Sequence, residues 1–129
     1  MILLDTHVLV WLLLSPKKLS KAASSAIRRA QAADGMAISA MSLIELASLI
    51  AANRVDVIGS VERTLENLTR DVEIRPITLE IAAASVYLPP DFPRDPADRA
   101  IAATAQVESL PLVTADTRIL KYRRIQTVW

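Results

Sequence analysis

Short apolar runs alternate with helical segments along the whole chain, and this alternation constrains the fold more than any other feature. Runs such as 2–4, 36–39 and 112–114 have the length of buried strands. Segments with apolar residues at helical spacing and with helix start or stop signals follow them. Strands that alternate with helices build βα units. The sequence therefore predicts an α/β fold with a mainly parallel sheet covered by helices on both faces.

Local signals divide the chain into elements. Ser20 is a good helix cap, Asp34-Gly35 ends the helix that follows it, and Pro96 suits the first turn of another helix. No repeat, low-complexity tract or linker interrupts the pattern, so one domain over residues 1–129 is expected. The predicted strands are 2–4, 36–39, 72–77, 112–114 and 125–129; the predicted helices are 6–14, 20–33, 41–52, 59–69, 78–88, 95–109 and a short one after Asp116.

Composition excludes several classes of site. The chain has two glycines, so a Gly-rich phosphate loop is absent, and it has no cysteine for disulfides, thiol catalysis or Cys-based zinc sites. The net charge is only +1, and 52% of the residues are apolar. The apolar run 8–14 is far shorter than the roughly twenty residues of a membrane span. No basic segment precedes Asp5, so neither a signal peptide nor a membrane association is expected, and the predicted location is the cytoplasm.

Four acids fall at one predicted edge of the sheet. Asp5 and Asp116 each follow a predicted strand, and Glu45 lies in the first turns of the helix after the second strand. The carboxyl ends of parallel strands share one edge, where sites of α/β folds gather. Asp98 shares a helix face with three apolar residues, so an acid heads the stripe that should face the sheet. These residues are Ile101, Ala102 and Ala105.

Such a cluster needs protons or cations. Two carboxylates about 4 Å apart repel by roughly 4 kcal/mol at an effective dielectric near 20. Mg²⁺ and Mn²⁺ prefer carboxylate and water oxygens, and near a phosphodiester they can activate water and stabilise the attacking and leaving oxygens. With no cysteine and with His7 as the single histidine, no other chemistry has comparable support.

Each acid also has an ordinary structural explanation, which the sequence alone leaves open. Ser42-x-x-Glu45 fits a helix capping box. A charge at Asp98 suits the dipole at the start of its helix. The remaining acids fit helix N-caps, namely Asp5, Asp95 and Asp116.

Residues near the acids are candidates for supporting roles. Thr6 and Thr114 could hold the acids or a metal-bound water through their hydroxyls, with capping as the alternative. Arg99, next to Asp98, is the best candidate among the basic residues for orienting an acid or contacting a phosphate. His7 is expected to be a surface or packing residue.

Four ordered segments resemble the PIN-domain ribonucleases, and among them the VapC-type toxins of prokaryotic toxin–antitoxin systems. They are LLDTHVLVW at 3–11, ISAMSLIEL at 38–46, DPADRAIAATA at 95–105 and LVTAD at 112–116. The resemblance implies a single PIN domain, an α/β/α sandwich. It implies that Mg²⁺ or Mn²⁺ binds between the family's acids, which are Asp5, Glu45, Asp98 and Asp116. Asp95 matches a further acid of the toxin subgroup.

The resemblance also implies function and partners. The expected activity is hydrolysis of RNA phosphodiester bonds by metal-activated water, the expected partner is a cognate antitoxin, and the expected assembly is a homodimer. One alternative is a PIN-like module that binds RNA or a partner without catalysis. Another is a phosphatase of the haloacid dehalogenase type, which requires a second aspartate two residues after the first. That position is His7.

Overall fold

The computed structural model describes residues 1–129 and contains one five-stranded sheet. Its strands are β1 Ile2–Leu4, β2 Met36–Ser39, β3 Glu73–Arg75, β4 Leu112–Val113 and β5 Thr127–Val128. They lie in the order β3-β2-β1-β4-β5, and every neighbouring pair is parallel. The predicted parallel sheet is confirmed, with β1 at its centre.

Seven helices connect or flank the strands. They are α1 Thr6–Leu14, α2 Lys21–Gln31, α3 Ala40–Ala51, α4 Val61–Leu68, α5 Leu79–Val86, α6 Pro96–Glu108 and α7 Thr117–Leu120. The predicted loop after α1 contains a single 3₁₀ turn at Pro16–Lys18. None of the helices combines the length and apolar character that a membrane span requires.

Both edge strands are shorter than predicted. β3 ends at Arg75 because Pro76 has no N–H to donate to the ladder. β5 begins only at Thr127, and Ile125 instead packs its side chain into the core from the preceding loop. An edge strand has one neighbouring strand, so its length is limited by the backbone hydrogen bonds that this neighbour can form with it.

Side-chain caps explain most helix starts, and one predicted cap is wrong. Ser39, not Ser42, caps α3 by accepting a hydrogen bond from the Met41 N–H at 3.1 Å. Ser42 lies inside the helix and is fully buried. The proposed capping box with Glu45 therefore does not form, which leaves both side chains free for tertiary contacts.

The sheet is buried on both faces. Leu4 belongs to a core cluster with residues of α1, α2, α3 and α4, whereas Leu3 belongs to a second cluster with residues of α6 and α7. Successive side chains of a strand point to opposite faces, so the two leucines anchor two separate cores. This arrangement confirms the predicted α/β/α sandwich.

Candidate active site

An open cleft of about 510 Å³ lies where the carboxyl ends of β1, β2 and β4 meet the N-terminal ends of α3 and α6. The four acids predicted from the sequence all line this cleft, and Asp95 joins them. Segments separated by up to about a hundred residues in sequence therefore contribute to one site. The acids are Asp5, Glu45, Asp95, Asp98 and Asp116.

Asp5 is the most rigidly held of these acids, with 4% of the residue exposed. One carboxylate oxygen accepts the backbone N–H of Thr6 at 2.8 Å, and the other accepts the hydroxyl of Thr114 at 2.7 Å. The first bond caps α1, so Asp5 caps a helix and lines the cleft at the same time. The second bond connects β1 to the end of β4.

Glu45 is oriented from the neighbouring helix. The Thr6 hydroxyl donates to its Oε1, and the Ser42 hydroxyl lies 2.8 Å from the same Thr6 oxygen. Burial is the largest influence on the pKa of Glu45 and raises it; the charges of Asp5 and Asp95 raise it further, while the Thr6 hydrogen bond opposes them. The cleft therefore disfavours the negative charge on this side chain.

Asp98 is the acid whose ionisation the cleft opposes most. Burial raises its pKa first, and the charges of Asp5, Asp95, Asp116 and Glu45 raise it further, to about 7. Its side chain is only 17% exposed at the start of α6. A cation placed among these acids would reverse that effect, because an opposite charge favours the ionised form.

Asp116 has a cationic partner within the protein. Arg118 donates from Nε at 3.1 Å to one carboxylate oxygen and from a terminal nitrogen at 2.8 Å to the other. This side-chain pairing is the largest cause of the lowered pKa of Asp116, although burial opposes it. The same guanidinium lies 3.7 Å from a carboxylate oxygen of Asp98.

Besides Thr6, two of the expected supporting residues contact the acids directly. Asp95 caps α6 by accepting the N–H groups of Ala97 at 2.8 Å and Asp98 at 3.2 Å, and it also lines the cleft. Besides donating to Asp5, Thr114 accepts the Asp116 N–H at 3.1 Å. Thr114 therefore links the two acids that follow β1 and β4.

Arg99 does not join the site. Its guanidinium donates to the carbonyl oxygens of Ser85 at 3.1 Å, Pro89 at 3.4 Å and Phe92 at 3.4 Å. It is not among the side chains that line the cleft. Consecutive residues on a helix point about 100° apart, so the neighbour of Asp98 faces the loop after α5 and holds that loop in place.

Two site residues were not predicted as such from the sequence. Arg118 is not among the candidates named from the sequence, although its position two residues after Asp116 is a usable signal. His7 lines the cleft, and its Nε2 accepts the backbone N–H of Ala115 at 3.1 Å. That bond leaves Nδ1 as the protonated nitrogen of the neutral ring, 3.5 Å from Asp5.

The donor set suits a hard divalent cation. Five carboxylates line one cleft, and the pKa values of two of them are raised by burial and by the charges of their neighbours. Oxygen ligands of this kind are preferred by Mg²⁺ and Mn²⁺. No three of these side chains are close enough in this structure to form a complete metal-binding group. The site therefore has the chemistry for a cation without a closed cage.

The Thr6 hydroxyl provides a direct test of this geometry. Thr6→Val removes the donor to Glu45 while keeping the side-chain shape, so we expect the RNA hydrolysis that the resemblance implies to fall about tenfold, with a destabilisation of roughly 1–3 kcal/mol from the unpaired partners. Thr6→Ser keeps the hydroxyl and is expected to remain within about threefold of the unmodified protein. Equal cleavage by the two variants would contradict the positioning role. Cleavage kinetics and thermal unfolding measure both effects.

A model of the PIN domain matches residues 2–125, nearly the whole chain. The chain belongs to the PIN-domain family. It is 43% identical over 130 residues to Ribonuclease VapC22 of Mycobacterium tuberculosis, and the match covers 99% of this PIN domain and 98% of that protein.

Solved structures agree with this fold. A toxin–antitoxin complex from Klebsiella pneumoniae aligns with a TM-score of 0.66 and 26% identity, over 95% of this chain and 92% of that one. VapBC2 from Rickettsia felis, bound to a DNA fragment from its promoter, aligns with a TM-score of 0.74 and 17% identity, over 98% and 97%. The second likeness concerns the fold alone.

Proposed function

We propose that this PIN domain is a metal-dependent endoribonuclease and the toxin of a type II toxin–antitoxin pair. The observation that carries the proposal is the convergence of five carboxylates on one open cleft. The likeness to a ribonuclease supports RNA as the substrate. Because the target RNA of such a toxin is cellular, we propose the cytoplasm as its location.

The acids have distinct roles in the proposed reaction. Asp5, Asp98 and Asp116 would hold one or two Mg²⁺ or Mn²⁺ ions, and Glu45 would complete the ligand set or position the water. When bound, the cation lowers the barrier by polarising water and stabilising charge on the phosphodiester oxygens.

Surrounding groups keep the carboxylates in place for this role. Thr6 and Thr114 each donate a hydrogen bond to one carboxylate oxygen of Asp5. The side chain is therefore already oriented, and little conformational entropy is lost when a ligand binds. Thr6 contacts only Oε1 of Glu45, and Oε2 has no protein hydrogen bond. Oε2 is therefore free to complete the ligand set of a cation or to accept a hydrogen bond from the water.

Cleavage of labelled RNA during titration with MgCl₂ or MnCl₂ tests the proposal, provided that any antitoxin is removed first. We expect cleavage that requires the cation and stops with EDTA. Absence of cation-dependent cleavage would favour the alternative of a non-catalytic binding module. The phosphatase alternative loses support because its second aspartate is replaced by His7, which is engaged with Ala115.

The proposed macromolecular partner is a cognate antitoxin. Structures similar to this chain include a toxin–antitoxin complex. The negative charge of the cleft complements an extended basic segment, and the exposed Ile44 beside it offers apolar contact. Coexpression with the product of a short neighbouring reading frame should suppress RNA cleavage and yield a complex. Full cleavage in its presence would argue against that pairing.

The proposed homodimer has a candidate surface on α5. Leu79, Val86 and Tyr87 are 91%, 73% and 85% exposed, and their helical spacing places them on one apolar stripe. Val86→Asp would bury an unpaired charge twice in a two-fold interface. We expect its dimer dissociation constant to rise at least about 100-fold.

Analytical ultracentrifugation measures this effect, with Val57→Asp as an exposed apolar control outside α5. The control should dimerise like the unmodified protein. A dimer that survives Val86→Asp would exclude this stripe, and a monomeric unmodified protein would remove the dimer proposal altogether. Circular dichroism confirms that each variant is folded.

A further inference from the structure

The guanidinium of Arg118 contacts two of the carboxylates that line the cleft. Arg118 makes two side-chain hydrogen bonds to Asp116, one to each carboxylate oxygen, and lies 3.7 Å from Asp98. Paired bonds of this kind are the strongest geometry between arginine and a carboxylate. Asp98 and Asp116 are thus partly neutralised by the chain itself.

No other lysine or arginine lines this cleft, which holds five carboxylates. His7, the remaining basic group, is engaged with Ala115 through Nε2. The two carboxylates held by Arg118 are 17% and 18% exposed, whereas the Arg118 side chain is 62% exposed. The two carboxylates are therefore enclosed, and the Arg118 guanidinium that pairs with them lies at the rim of the cleft.

Because Arg118 lies at the rim of the cleft, its side chain can also reach a second surface. Its side chain also borders a depression of about 90 Å³ whose lining includes Lys121, Tyr122 and the acid Asp91. Water can solvate the exposed guanidinium when it leaves, but the enclosed carboxylates would then lack a counter-ion. Movement toward this depression is therefore expected only when another cation takes the place of Arg118, and it would bring a second positive charge near Lys121.

We propose that Arg118 is a built-in counter-ion of the cleft, which holds Asp116 and Asp98 until a divalent cation displaces it, and which then contacts a phosphate of the bound RNA. This inference rests on the proposed metal-dependent cleavage of RNA. A divalent cation and the guanidinium compete for the same carboxylate oxygens. Once released, the fork of donors on arginine matches the oxygens of a phosphate group.

The first experiment measures MnCl₂ binding by isothermal titration calorimetry at low ionic strength and pH 8. Arg118→Gln removes the competing charge. The backbone N–H of residue 118 can still donate to Asp116 Oδ1, as it does in the unmodified protein at 2.9 Å. We expect the Mn²⁺ dissociation constant to fall roughly three- to tenfold, in line with the modest strength of an ion pair whose cation is exposed. Lys121→Gln, which loses the same charge nearby, should stay within about twofold of the unmodified protein.

The results separate the inference from the proposed function. Unchanged or weaker Mn²⁺ binding by Arg118→Gln, relative to Lys121→Gln, overturns the inference and leaves metal-dependent cleavage intact. Binding detected only in Arg118→Gln supports the inference. Absence of Mn²⁺ binding in every variant overturns both proposals.

A second experiment addresses the contact with RNA. At Mn²⁺ concentrations that saturate each variant, KM for a short single-stranded RNA should rise roughly five- to tenfold in Arg118→Gln, with a smaller change in kcat. Arg124→Gln serves as the control, since Arg124 borders a separate pocket at the C-terminal end of α6. Equal KM values for the two variants would overturn the phosphate contact.

Discussion

Asp5→Asn is expected to lower metal-dependent RNA cleavage by on the order of 10³-fold or more, which is the scale of loss for a central catalytic group. Asp5 is the most buried acid of the cleft, and both of its oxygens are restrained. The amide removes the negative charge at the point where the strands converge. A bound cation would lose the negative charge of its most firmly held ligand.

The same variant is expected to fold. The Asn oxygen can still accept the Thr6 N–H that caps α1, and the Thr114 hydroxyl can rotate to accept from the new amide. Loss of a negative charge from a crowded acidic site also relieves repulsion. Unchanged circular dichroism together with lost cleavage would therefore assign the effect to the site.

Asp34→Asn is a suitable control, because Asp34 is an exposed acid that pairs with the N-terminal amine away from the cleft. It should cleave labelled RNA at the rate of the unmodified protein. Full Mn²⁺-dependent cleavage by Asp5→Asn would refute the assignment of the acidic site.

Asp98→Asn is expected to stabilise the metal-free protein at pH 8 while it impairs cleavage. The pKa of Asp98 is raised from 3.8 to about 7, so the folded state holds this proton more tightly than the unfolded state does. The contribution of this group to stability therefore falls as the pH rises from about 4 to about 7. After allowance for partial solvent exposure, the variant should gain about 1–2 kcal/mol at pH 8.

Calorimetric unfolding between pH 4.5 and 8.5 tests this expectation. The Tm of Asp98→Asn should exceed that of the unmodified protein by several degrees at pH 8 and converge with it toward pH 4. Addition of MgCl₂ should stabilise the unmodified protein more than the variant, because the cation favours the ionised aspartate. Asp56→Asn supplies a control at an exposed acid outside the cleft. A lower Tm for Asp98→Asn at pH 8 would contradict the electrostatic explanation.

Local sequence signals were sufficient for the parallel sheet and for the edge at which the acids gather. Asp5 and Asp116 directly follow buried strands, and parallel strands direct such residues to one edge. Asp98 was identifiable because helical spacing joins it to a buried apolar stripe. These predictions succeeded because strand alternation, helix period and caps depend on neighbours in sequence.

Local signals failed where two nearby residues could serve equally well. Ser39 and Ser42 are both good caps by residue type, but α3 begins at Ala40 because β2 ends at Ser39 in its ladder with β3. Ser42 is consequently buried beside Thr6, where it helps to orient Glu45. Strand register, a tertiary property, decided between the two serines.

By itself, the sequence determined the order of the elements, the sheet edge at which the acids collect and their excess of negative charge. Only the tertiary structure decided which long basic side chain meets those acids. Arg99 turns to carbonyl oxygens at the end of α5 and in the loop after it, whereas Arg118 reaches Asp116 and Asp98. The physical reason is the length and flexibility of the arginine side chain. A flexible arginine can contact anything within several ångströms, so its partner depends on how distant elements pack and not on its neighbours in the chain.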